Sequence, residues 1–153
     1  MSSAQRIFPD RCNTALIVGL AADKDMAGIV QCLALLKPSL VLCVAPDSCG
    51  LGARGQPAAD VSAAFHTALA STGNTQESAA SGEDSRQCSV SQLQTVSSMD
   101  EALREVDIWA QDRPEGVKDG VANDSLHSAR APLVCVTGSN YVVGAALSCL
   151  QSL

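Results

Sequence analysis

Ala15-Leu16-Ile17-Val18-Gly19-Leu20-Ala21-Ala22-Asp23-Lys24-Asp25-Met26 joins an unbroken apolar run, a glycine turn and a charged helix start. Four consecutive apolar residues with no polar alternation suit a strand buried on both faces of a parallel sheet. Gly19 ends the run. After Asp25 the spacing of Met26, Ile29, Val30, Leu33 and Leu36 follows one face of a 3.6-residue helix, and Pro38 stops it.

The same strand, turn and helix order recurs outward from this stretch. Leu40-Val41-Leu42-Cys43-Val44-Ala45 ends at Pro46-Asp47, and Leu133-Val134-Cys135-Val136-Thr137 ends at Gly138-Ser139. A weaker strand is expected over Leu93 to Val96. Pro57 fits a first helical position, with Val61, Phe65 and Leu69 on one face of the helix that follows. Ser98-Met99-Asp100-Glu101 reads as a capping box, in which Ser98 and Glu101 satisfy opposite backbone donors, and Met99, Leu103, Val106 and Ala110 continue as a stripe. Ser139 caps a last helix expected to turn Val142, Val143, Ala146, Leu147 and Leu150 inward. Alternation of this kind predicts an α/β fold with an open, mostly parallel sheet, flanking helices and right-handed crossovers.

With 153 residues the chain matches a single domain, and a chain of that size buries roughly 70% of its unfolded surface. Only four residues are aromatic (Phe8, Phe65, Trp109, Tyr141), so the core must come from Ala, Val, Leu and Ile. A net charge of -6, with ten scattered Lys and Arg, argues against nucleic acid. No apolar stretch approaches the roughly 20 residues that cross a bilayer. Seven cysteines, an odd number without a C-x-x-C pair, read as small apolar thiols in a reducing compartment. The N-terminal segment contains Arg6 and Arg11 but also Pro9 and Asp10, with no amphipathic period, so the expected location is cytoplasmic, or an organelle if a presequence lies upstream. Residues 1–14 read as an N-terminal extension to a domain over 15–153. Ser71 to Ser91 and Arg113 to Arg130 are polar stretches expected as insertions between elements.

In open α/β sheets ligands meet the carboxyl ends of the strands. Three loops are expected there: Gly19 to Asp25, Pro46 to Gln56, and Gly138 to Tyr141. Asp23-Lys24-Asp25 has two open readings. One is helix capping with favourable charge at the helix start; the other is recognition of a carboxylate or phosphate by Lys24, oriented by an aspartate. Arg54, between Gly52 and Gly55, is either solvated or a carboxylate clamp. Gly138-Ser139-Asn140 is either a tight turn or an anion cradle, although it is not G-x-G-x-x-G and has no phosphate-loop lysine. His66 and His127 have no spaced partner for a metal site or a triad.

The order of these segments resembles the carboxyl-terminal domain of folylpolyglutamate and dihydrofolate synthases, in the Mur ligase superfamily. Ala15 to Gly28 is similar to that domain's strand, D-K-D loop and helix start. Val134 to Gly144 is similar to its closing strand and G-S-x-Y-x-V-G turn, while Val44-Ala45-Pro46 and Arg54 to Ala59 resemble its second strand and arginine-bearing helix start. The resemblance spans about Ala15 to Leu150. It implies a Rossmann-like fold and ATP-dependent, Mg2+-assisted addition of L-glutamate to folate or dihydropteroate, with Asp23, Lys24, Asp25, Arg54, Ser139 and Asn140 facing an interdomain cleft.

Two departures limit what the chain can do by this resemblance. It contains no G-x-x-x-x-G-K-[ST], and Met1 to Asn13 has no D-[GA]-A-H-N, so the domain's first strand is expected to be missing. ATP and Mg2+ would then belong to the complete enzyme and its ATP-binding domain, in the same gene or a separate subunit, with neither bound by this chain alone and no catalytic or metal-ligating residue expected in it. A non-catalytic binding or regulatory module of the same fold is the alternative. A flavodoxin-like nucleotide binder is disfavoured, because the first loop has no phosphate cradle.

Overall fold

The computed structural model describes residues 14–73, 92–112 and 132–152. Four strands, β1 (Thr14–Val18), β2 (Leu40–Val44), β3 (Gln92–Val96) and β4 (Leu133–Thr137), lie in the order β3-β2-β1-β4. Every pairing is parallel, and β1 aligns Ala15 with Leu40 on one side and with Val134 on the other. The helices are α1 (Met26–Ala34), α2 (Ala58–Gly73), α3 (Met99–Gln111) and α4 (Asn140–Leu150). The expected α/β class is therefore the observed one, an open Rossmann-like sheet.

Strand order reverses at β1, and the helices divide accordingly. Leu16, Val18, Val41 and Cys43 pack with α1 and α2 through Val30, Ala34, Val61 and Phe65. Ala15, Ile17, Leu40 and Leu42 face the other way, toward Met99, Val106 and Trp109 of α3 and Val142 and Ala146 of α4. The two central strands are buried along their whole length, as their continuous apolar runs require.

Several local expectations are corrected. β4 is an edge strand, half-buried or exposed throughout, because among the described residues only β1 pairs with it. Val143, Leu147 and Leu150 of α4 point outward for the same reason: the sheet beneath them ends at β4. Helix α1 stops at Ala34, ahead of Pro38; the chain leaves it through a turn in which the Lys37 amide donates to the Ala34 carbonyl and Lys37 takes a positive φ of 48°, and the proline that follows cannot continue the helix. Pro57 sits one position outside α2, where its carbonyl accepts from Val61. The Ser98 hydroxyl accepts from the Glu101 amide as expected, but the Glu101 carboxylate turns to the amide and hydroxyl of Ser97, at 2.7 and 2.6 Å.

Residues 71–73, expected as the start of a polar insertion, continue α2. The rest of both polar stretches, the N-terminal extension to residue 13, and His127 lie outside the described residues. Among the described residues no helix is long and apolar enough to cross a membrane.

Candidate functional site

The carboxyl ends of β1, β2 and β4 bring the three expected loops together. The loop after β1 is tied to the loop after β2 by an antiparallel bridge between Ala21 and Gly55. Backbone bonds from Ala22 N–H to the Arg54 carbonyl (2.7 Å) and from Gln56 N–H to the Leu20 carbonyl (2.8 Å) reinforce it. Two short 3-10 turns, Pro46–Cys49 and Gly52–Arg54, fold the second loop over the edge. That places Arg54 above the ring of Tyr141, with the guanidinium carbon 5.7 Å from the ring centre. The β2 loop therefore reaches both neighbours.

The junction of β1 and β4, where the strand order reverses, is closed by glycine. Gly138 has φ 114°, and a Cβ there would collide with the Gly19 carbonyl oxygen. A Cβ on Gly19 would lie 2.7 Å from Cγ2 of Val142, which is fully buried. A ligand cannot enter between these strands. It can only lie across the rim.

On that rim the six expected residues divide by task. Asp25 caps α1, its Oδ1 accepting from Gly28 N–H at 3.1 Å. Ser139 caps α4, its hydroxyl accepting from Tyr141 N–H at 3.2 Å. These two already have structural work, which favours the capping reading for them. Lys24 and Asp23 form a 3.7 Å ion pair with both side chains more than half exposed, a contact worth at most about 1 kcal/mol. Arg54 and Asn140 are exposed, and among the described residues no carboxylate pairs with Arg54. Lys24 and Arg54 thus remain as solvent-facing cations on adjoining loops. The structure brings the loops together, but it does not place Lys24 in contact with Arg54, Ser139 or Asn140.

Tyr141 is the rim residue that sequence reasoning left out. Its signal was present: an aromatic on the first turn of a helix whose partner loop carries one arginine. Gln56 is a smaller omission, its side-chain amide donating to the Ala22 carbonyl at 3.4 Å. His66 is exposed on α2 and takes no part. Among the described residues no group of three or more His, Cys, Asp or Glu could hold a metal ion. Chemically, the rim offers two exposed cations, one stacked on an aromatic, and no nucleophile with an adjacent base. That composition suits holding an anion more than transforming one. No family profile, curated protein or solved structure matches this chain.

Proposed function

We propose that this chain is the glutamate-side, carboxyl-terminal portion of an ATP-dependent ligase that adds L-glutamate to folate or dihydropteroate, inactive without its ATP-binding partner domain. The observation that carries the reading is convergence. The Asp23-Lys24-Asp25 loop, the Arg54 loop and the Ser139-Asn140 turn, which carry the sequence resemblance, meet on one sheet edge. L-glutamate and a glutamyl tail both present carboxylates, which Arg54 can hold bidentately and Lys24 as a point charge. Stacking on Tyr141 restricts the Arg54 side chain and lowers the entropy lost on binding.

Among the described residues ATP and Mg2+ find no built site. The sequence has no phosphate loop, and of the rim carboxylates Asp25 caps a helix and Asp23 pairs with Lys24, which leaves Asp47 alone on the β2 loop. The reading therefore assigns both to the partner domain. That same lack favours, as the second reading, a non-catalytic module that recognises glutamyl carboxylates through the same rim.

Calorimetric titration with L-glutamate and with a folylpolyglutamate tests what the two readings share. Binding in the millimolar range is expected, lost in Arg54→Ala and weakened in Lys24→Ala. No heat at millimolar ligand would overturn both. Glutamate addition after mixing with a ligase-type ATP-binding domain separates them.

A further inference from the structure

Among the described residues the sheet has two edge strands, β3 and β4, and β4 is the more apolar. Among the described residues nothing pairs with the outer side of β4, and the strand carries no lysine, proline or bulge of the kind that normally blunts an exposed edge. Val134 and Val136 lie on the α4 face of the sheet, in register with Ala15 and Ile17. Above them α4 turns Ala145 and Cys149 toward the core and leaves Val143, Leu147 and Leu150 on its opposite flank. Val134, Val143, Leu147 and Leu150 are 36%, 38%, 55% and 54% exposed. By the periodicity of α4 the three helix residues share the flank turned away from the core, so that with Val134 they bound a trough beside the strand edge.

From this we propose that the trough is the seam of a two-fold dimer, in which β4 pairs antiparallel with β4 of a second copy and the two α4 helices meet above it. This proposal stands independently of the ligase reading.

Geometry and charge both favour a second copy. A dyad perpendicular to the sheet keeps both α4 helices on one face, as an isologous interface requires. Helix α4 packs on β4 and meets the end of β1 at Gly19. Two such helices would stand two strand spacings apart, roughly 10 Å, and helices pack at about 8–10 Å. The net charge of -6 opposes self-association in general, yet all 26 charged side chains precede Ala131, and Ala131 to Leu153 contains none. Two copies can therefore meet here without like charges opposed. A standard interface buries roughly 800 Å² per partner, a little over half of it apolar. The four exposed side chains supply roughly 300 Å² of apolar surface, the size of the largest patch on an ordinary monomer, and pairing of the two β4 edges adds backbone area to it.

Sedimentation velocity over a wide concentration range reads the outcome directly. The wild-type chain is expected to show a concentration-dependent monomer–dimer equilibrium. Leu147→Glu and Val134→Lys should each raise the dimer dissociation constant at least about tenfold, because each would bury an unpaired charge. Ile108→Glu, at a half-exposed site on α3 outside the trough, should leave it unchanged. Circular dichroism checks that the variants fold, and Leu147→Glu, at a more exposed position, carries the test if Val134→Lys disturbs β4. A monomer at every concentration overturns the proposal, as does a dimer indifferent to both trough substitutions.

Discussion

Gly138 fixes the approach of β4 to β1 through a φ of 114° and a contact with the Gly19 carbonyl that no side chain can share. Gly138→Ala combines an unfavourable φ with a backbone collision, so it should lower unfolding free energy by about 2 kcal/mol or more. Urea titration of wild type and variant measures this, and equal midpoints would contradict the packing described. Arg54 is a milder case. Its stacking on Tyr141 is exposed, so Arg54→Ala should destabilise by no more than about 1 kcal/mol while removing anion binding. Glu101 makes a pH statement: the Ser97 hydroxyl and then the Ser97 amide hold its carboxyl below the usual value. A depressed folded-state pKa gives stability that is complete above the unfolded pKa and lost as pH falls through the folded one. Glu101→Gln should therefore lose stability near neutral pH and converge with wild type in acid.

Caps and periodicity made the elements legible. The Ser98 and Ser139 caps, the buried runs of β1 and β2, and Asp25 ahead of α1 all follow from local chemistry, and local chemistry is what a sequence records most directly. Ser98→Ala should cost about 1 kcal/mol in thermal or urea unfolding, and Phe65→Ala, at the centre of the α1–α2 face, about 3–5 kcal/mol. What local pattern did not record was which elements lie at the edge of the sheet. Leu133 to Val136 is as apolar as Leu40 to Cys43, yet one strand is at the rim and the other is buried. Val143, Leu147 and Leu150 read as core for the same reason, since periodicity gives a face without saying whether anything covers it. Among the rim residues, Asp25 and Ser139 were legible as caps, whereas the stacking of Arg54 on Tyr141 joins two loops far apart in sequence and needed the fold.

For the whole molecule, burial should order thiol reactivity. Burial pushes Cys43 up to about 12 and raises Cys135 as well, while Cys32 is exposed on α1. Peptide mapping after brief alkylation at mildly alkaline pH should find Cys32 modified and Cys43 untouched until the protein unfolds. The central claim concerns the rim formed by the β1, β2 and β4 loops, and amide chemical shifts test it most directly. On titration with L-glutamate or a folylpolyglutamate, the shifts should be confined to Ala22 to Asp25, Gly52 to Gln56 and Gly138 to Tyr141. Shifts clustered at the opposite ends of the strands, or none at millimolar ligand, would contradict it.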